Sequence, residues 1–379
     1  MLWILLLLLL IWLDFQLGKR LAAGQNHSKS WQTSIKDVEV FTTGNNLFKA
    51  ICADIEQAKH TIDIQFFIIR NDRLSNQVYS LLARKQAEGV KVRFLTDWGG
   101  SIRFRKKWLQ DKFAFQKRNG PAFPLFYHLQ RRNHRKVLVV DGQIGYAGGF
   151  NLGDEYLGKD LALGKWRDYH IRVTGDIVDV LQESFLNDWK KDSEHAMVSD
   201  HGDIEVLASE STTLEQLLLH YIENSEHSID IGSPYFIPSR MIEKALTTAL
   251  QRGVQLTILI PDKADHPLTK AAALPYLRRM AQQGAIIRLY KDGFFHGKVI
   301  FIDEQFCLTG TANFDRRSWQ LNQELNIIAP STSSLYDKLY HAFWQDVLIS
   351  KSLTKGWLKH QPLYLRLLAW LTVPIRGLL

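Results

Sequence analysis

Cysteine is nearly absent from this chain, with only Cys52 and Cys307 among 379 residues. The two lie in different halves, each within an apolar pattern that predicts a buried thiol. That excludes a disulfide framework and a cysteine-rich metal site. Histidine is commoner, but His220, His266 and His341 have no metal-ligand spacing, and no zinc chemistry is expected. His60 and His227 stand at helix ends and read as caps. Acidic residues are the scarcer charged class, 39 against 47 basic, for a formal net charge of +8. That balance fits an anionic partner, whether nucleic acid, an anionic membrane surface or a phosphate-bearing substrate; a plain solubility surplus is the alternative. With 46% hydrophobic and 23% charged residues the chain is globular, and its length holds two domains.

No Lys or Arg precedes the uninterrupted apolar run Leu2 to Leu13. A cleaved signal peptide normally has a positive start, so the run reads better as an uncleaved anchor. Asp14 interrupts it, and Phe15 and Leu17 extend it. Seventeen helical residues span about 25 Å, the short end for a bilayer core. Lys19 and Arg20 follow the run and place the body on the cytoplasmic side of a membrane crossed once. Residues 18–34 read as a polar juxtamembrane linker.

The body repeats itself at about 165 residues, too long for a solenoid and fit for a duplicated domain. The first half predicts a helix over Leu47–Lys59, a strand over His60–Phe67, a helix over Ser75–Gln86 ending near Gly89, and a strand over Val90–Leu95. The second half predicts Leu214–Glu226, a strand from His227, Arg240–Gln251 ending near Gly253, and Val254–Ile260. Strand–helix–strand with a short Gly link is a parallel βαβ unit. Each half is therefore α/β, with the two halves packed face to face. Trp189 to Asp203 is the expected link.

Both halves then carry H-x-K-x4-D: His134, Lys136 and Asp141, and His296, Lys298 and Asp303. Apolar strands follow each Lys, and an Asp-Gly or Asp-Glu turn leads to a return strand, Ile144–Ala147 or Phe306–Thr309. Small-residue turns then end in Asn151 and Asn313, each 17 residues after its His. Residues two apart on a strand share a face, so each His and Lys point the same way. Two facing hairpins give two His, two Lys and two Asn around one pocket. Such a pocket suits phosphoryl transfer. One imidazole attacks phosphorus, and the other protonates the leaving alcohol and later deprotonates the incoming one. Lys and Asn stabilise the equatorial oxygens, so no metal or cofactor is needed. The motif aspartates belong to the candidate catalytic set by position, but strand-end placement favours turn capping or pairing. Asp168 and Glu324 each begin an apolar strand and are candidates to fix a His tautomer.

Two stretches leave alternatives open. Arg103, Arg105, Lys106 and Lys107 interleave with Phe104, Trp108, Phe113, Phe115, Phe123 and Phe126. They could rest on lipid headgroups or single-stranded nucleic acid, or form an amphipathic helix with a solvated basic face. The tail Leu363–Leu379 reads either as an interfacial helix or as one docked on the core. Phe66, Phe67, Tyr235 and Phe236 are candidate pocket walls.

The paired motifs resemble those of the phospholipase D superfamily. Within it, Gly148 to Gly158, Trp166-Arg167-Asp168, Ser233 to Pro238 and Thr309 to Ser318 are similar to bacterial cardiolipin synthases of a short, single-anchor branch. The likeness covers roughly residues 40–345. It implies a duplicated phospholipase D-like α/β fold, two βα-sandwich halves sharing one active site, behind a membrane anchor. The boundaries expected are 1–17 for the anchor, 18–34 for the linker, 35–195 and 196–350 for the repeats, and 351–379 for an amphipathic tail. The reaction implied is phosphatidyl transfer between two phosphatidylglycerols, giving cardiolipin and glycerol through a phosphohistidine on His134, with His296 as acid then base. Partners are then phosphatidylglycerol, cardiolipin and an anionic membrane, with no nucleic acid. The alternatives are a phospholipase D-type phosphodiesterase hydrolysing phospholipids or nucleic acid, and a lipid-binding scaffold with a dead site.

Overall fold

A computed structural model describes residues 2–23, 28–109, 112–190, 201–354, 356 and 361–378. Residues 191–200 of the expected link lie outside the described residues. Two large sheets, of eight and nine strands, are built on one plan. In the first, Thr61–Phe66 runs parallel to Lys91–Asp97, and that to Ala114–Arg118. On its other side come Val137–Val140, Ile144–Gly148, Trp166–Thr174 and Asp37–Thr43, all antiparallel. The second sheet repeats this order with Ser228–Gly232, Gln255–Pro261 and Ile286–Tyr290 parallel. Val299–Ile302, Phe306–Gly310, Glu324–Pro330 and Ile204–Ser209 follow antiparallel. The sequence-predicted helices are present as Gly44–Gln57, Arg73–Ala87, Thr213–Glu223 and Arg240–Arg252.

Strand alternation sorts the apolar residues into three layers. Val137, Val139, Val299 and Phe301 join a central core shared by both repeats with the helices Ile177–Trp189 and Ser334–Ile349. Leu138 and Val140 face the outer helices of the first repeat, and Ile300 and Ile302 those of the second. Cys307 is buried in the central core, while Cys52 is half-buried; both are free thiols.

Several segments differ from their sequence reading. The presumed linker contains a strand, Lys29–Thr33, which extends the second sheet through Ile204–Ser209 although it precedes the first repeat. Period-two patterning is weak in so short an edge strand. Among its described residues the basic-aromatic stretch forms no amphipathic helix over its basic part, but a short 3₁₀ turn at Lys106–Leu109, the strand Ala114–Arg118 and a short helix, Leu125–Gln130, that takes in Phe126. Phe104 and Phe113 go into the core, while Phe123 is 78% exposed. Of the two readings of the tail, docking on the body is the one seen. Leu365 and Ala369 of the helix Leu363–Leu371 dock on Ala271 and Leu274. Leu363, Leu367, Trp370 and Leu371 face solvent.

The hairpin turns are matched. Asp141 and Gly142, like Asp303 and Glu304, all have positive φ, as a type I′ hairpin turn demands. Asp141 holds this conformation by accepting from the backbone N–H groups of Lys59, His60 and Thr61, at 2.7, 2.7 and 2.8 Å. Asp303 does the same for Glu226, His227 and Ser228. Each aspartate thus ties a helix exit to the turn at the far end of its His strand. Asp141→Ala removes an acceptor from three amides and costs about 1–3 kcal/mol. Urea unfolding should show that loss, with turnover per folded molecule retained; a selective collapse of turnover would return Asp141 to the chemistry.

Candidate active site

Each histidine is held by the opposite repeat. The residues before His134 lie beside the start of Glu324–Pro330, where the His134 N–H donates to the Gln323 carbonyl at 2.9 Å. The short strand Phe294–Phe295 before His296 pairs with Trp166–Arg167, and the His296 N–H donates to the Arg167 carbonyl at 2.6 Å. Asp168 and Glu324 follow next in their strands, so each main-chain register delivers a carboxylate to the other repeat's imidazole. His134 Nδ1 lies 2.9 and 3.1 Å from the two Glu324 carboxylate oxygens. His296 Nδ1 lies 2.5 Å from Asp168 Oδ2. With Nδ1–H donated to a carboxylate, each Nε2 is left for chemistry.

The carboxylates are anchored in turn. Glu324 accepts from the Thr311 hydroxyl at 2.6 Å and from the Asn322 amide at 3.1 Å. Asp168 accepts from the Tyr169 N–H at 2.8 Å. Lys136 donates to the His134 carbonyl at 2.6 Å. Lys298 donates to the His296 carbonyl, with its ammonium 2.8 Å from His296 Nδ1 and 3.7 Å from Asp168. All six side chains are buried.

Burial dominates the site's proton equilibria. It lowers His134 to about 4 against the upward pull of Glu324. It also lowers His296, helped by Lys298. Lys136 drops to about 7 for the same reason, and Lys298 drops too. Burial works against the Glu324 carboxylate, but His134 and Lys136 outweigh it and hold it at about 2. Asp168 is likewise held low, by Lys298 and His296. Near pH 7 the site therefore combines neutral imidazoles with ionised carboxylates, and a phosphate anion between them would raise both histidines.

A cavity of about 430 Å³ takes in His134, His296, Asn151 and Asn313 together. Asn151 accepts from the Ile68 N–H at 3.0 Å, and Asn313 Oδ1 is buried without a partner among the described residues. Phe67 stands edge-on to His134 and Trp166 is tilted against His296, both at 4.9 Å between centroids. Of the candidate wall residues Phe67 and Tyr235 line the cavity, but Phe66 and Phe236 point into the two outer cores. Neighbours along an extended chain face opposite ways, and the sequence pattern alone did not show which. Asp141 and Asp303 do not line the cavity. Sequence reasoning missed Arg70, Arg132 and Arg317 on its wall. Arg317 stood in a stretch already singled out, but nothing in its spacing marked it.

Comparison with known proteins gives a consistent picture. The family model for "Cardiolipin synthase, PLD-like domain" matches residues 51–189 and again 218–347. The chain is 36% identical over 358 residues to the minor cardiolipin synthase ClsB of Bacillus subtilis (strain 168), covering 91% of this chain and 90% of that one. It is also 36% identical to a cardiolipin synthase of Staphylococcus aureus (strain MW2), covering 87% of this chain and 71% of the other. Among solved structures, phosphatidylserine synthase of Haemophilus influenzae Rd KW20 superposes with a TM-score of 0.72. It covers 95% of this chain and 98% of its own, at 16% identity, a likeness of fold alone.

Two measurements probe the buried pairs. His134 has a folded pKa below its usual 6.5, so the folded state binds fewer protons than the unfolded one between pH 6.5 and about 4. Stability is then full above pH 6.5 and falls by on the order of 3 kcal/mol as pH drops through that window. Glu324, also depressed, adds a further loss below its usual 4.5. The melting temperature should therefore fall on acidification, less steeply in His134→Asn. Glu324→Gln lets Nδ1 take the wrong tautomer, and turnover should fall about 10⁴-fold while the fold persists.

Proposed function

Because the chain belongs to the cardiolipin synthase family of phospholipase D-like domains, we propose that it joins two phosphatidylglycerols into cardiolipin and glycerol. The observation that carries this reading is the crossed pairing: two imidazoles, each oriented through Nδ1 by a carboxylate of the other repeat, open on one cavity. His134 Nε2 attacks the phosphorus of the first phosphatidylglycerol. The bond from phosphorus to the glycerol oxygen breaks, and that oxygen takes a proton from the His296 imidazolium. Glutamate at both oxygens steadies the cationic, phosphorylated His134 ring. Glycerol leaves. A hydroxyl of the second phosphatidylglycerol then gives its proton to His296 and attacks phosphorus, and the phosphorus–nitrogen bond breaks. Asn151 and Asn313, on the cavity wall, offer donors to the non-bridging oxygens, and Lys136 and Lys298, turned back onto the carbonyls of their histidines, add positive charge from behind them, the part of such sites that usually contributes most. One phosphodiester replaces another, so no nucleotide is consumed.

The lipid substrates require a membrane surface. Among the described residues no helix is long and apolar enough to cross a membrane. The helix Leu2–Ala23 nevertheless exposes Trp3, Leu7, Leu10, Trp12 and Leu13. Farther along, Phe15 packs on Phe126 and Tyr127, and Asp14 accepts from the Tyr127 N–H at 3.0 Å. This helix anchors the enzyme by its apolar first half and fixes the body to it by its second. The single crossing expected of this segment is not supported, and attachment is by its exposed apolar face.

Purified protein given labelled phosphatidylglycerol should yield cardiolipin and free glycerol, and both His134→Ala and His296→Ala should lose roughly 10⁴-fold in turnover or more. Phosphatidic acid as the main product would make it a hydrolase instead. Because the phosphorus–nitrogen bond is acid-labile, rapid denaturation at neutral to alkaline pH should trap the phosphoryl label on position 134; label found on His296 reverses the two roles. Leu7→Gln, Leu10→Gln and Leu13→Gln together should release the protein from vesicles in flotation, and retained binding would remove the anchor.

A further inference from the structure

Three arginines, Arg70, Arg132 and Arg317, stand on the cavity wall with Glu155, Asp265 and Asp315, and they are not equally partnered. Arg317 lies on the short helix Arg316–Gln320. Its guanidinium donates to the Gln130 carbonyl at 2.8 Å, the Gln130 side-chain oxygen at 3.3 Å and the Leu378 carbonyl at 3.4 Å. All three acceptors are neutral, and among the described residues Arg317 forms no ion pair. The acid nearest in sequence, Asp315, is engaged as the helix cap, accepting from the Ser318 N–H at 2.7 Å.

Arg132 lines the same cavity and is close enough to oppose the charge of Arg317. It is 4% exposed, and its Nε has no partner among the described residues. Its one carboxylate, Asp97 at 3.1 Å, is already shared among the N–H groups of Gly99, Gly100 and Asn133 and the Asn119 amide. Arg70, by contrast, is paired with Glu155 at 3.0 Å. Two guanidinium groups on one cavity wall, one forming no ion pair among the described residues and one with a buried donor that has no partner among them, form a site for an anion.

We propose that Arg317 and Arg132 bind the phosphodiester of the acceptor phosphatidylglycerol, while the donor's phosphate sits between the histidines. This rests on the transfer reaction proposed above. Cardiolipin has two phosphates joined by one glycerol, so the acceptor brings its own negative charge next to the phosphohistidine. A cationic site one glycerol away neutralises that charge and aims the hydroxyl.

The test compares two acceptors of the same phosphoenzyme. Exchange of labelled glycerol into phosphatidylglycerol uses the histidines but no acceptor phosphate, whereas cardiolipin formation needs both. In Arg317→Gln, cardiolipin formation should fall about 10–100-fold more than glycerol exchange, with the acceptor KM raised, and Arg317→Lys should recover part of it. Equal losses in both reactions, or no loss in either, would overturn the proposal. The wild-type enzyme supplies a check that needs no variant. Glycerophosphoglycerol, an anionic headgroup without chains, should accept phosphatidyl groups more efficiently than glycerol at equal concentration; equal efficiency also overturns it. A wild-type protein that performs neither reaction would refute the transferase reading, a separate outcome.

Discussion

Two imidazole–carboxylate contacts cross from one repeat to the other, and most of the molecule's arrangement can be read as their support. His134 meets Glu324 and His296 meets Asp168, with all four side chains buried. Two lysines are buried with them. Such a cluster is expensive to desolvate, and removing one partner from a buried pair costs about 3–5 kcal/mol because the other is stranded. The backbone makes the cluster tolerable. The short pairings of Asn133 with Gln323 and of Phe294–Phe295 with Trp166–Arg167 place each histidine before any side-chain contact is made. The site therefore exists only when both repeats are folded against each other, and neither half holds a complete catalytic pair alone.

The two halves of the site are not copies. Gly148 and Gly310 occupy equivalent places, with φ of 149° and 150°, where a Cβ would strike His170 or the Leu325 carbonyl. One residue on, the repeats diverge. A Cβ at Gly149 would lie 2.0 Å from Asp168 Oδ1, so glycine is needed beside this carboxylate. Its counterpart Thr311 instead gives a hydroxyl to Glu324. Glutamate thus faces His134 with a side-chain donor behind it, while aspartate faces His296 with Lys298 close by. The difference gives the two imidazoles unlike surroundings, which is what a nucleophile and an acid–base partner require.

Much of this was legible in the sequence. The βαβ units, the hairpins and the His–Lys strands follow from period-two apolar runs, glycine stops and Asp-Gly turns, all local signals. The motif aspartates were readable as structural for the same reason. What could not be read was long-range. Nothing local says that Asp168 serves the histidine of the other repeat, since that depends on how the sheets dock. Lys29–Thr33 joins a sheet whose other strands begin some 170 residues later. Arg132 and Arg317 come from different repeats and become neighbours only across the cavity.

The choice between transfer and hydrolysis also lies outside the motif. A phosphohistidine can be attacked by any hydroxyl that reaches it, and water is the most abundant. Phe67, Trp166 and Tyr235 line the cavity with aromatic surface around the reacting nitrogens and reduce the room for water there. Exclusion alone does not make a transferase, because the acceptor must still arrive. A headgroup held by its own phosphate brings its hydroxyl to phosphorus within one bound complex, and well-oriented reactions of that kind reach effective molarities of about 10⁵–10⁸ M. A small fraction of that advantage is enough to outcompete water. The exchange itself is nearly balanced, one diester for another, so direction must come from the products: glycerol escapes into water, while the doubled lipid stays in the membrane.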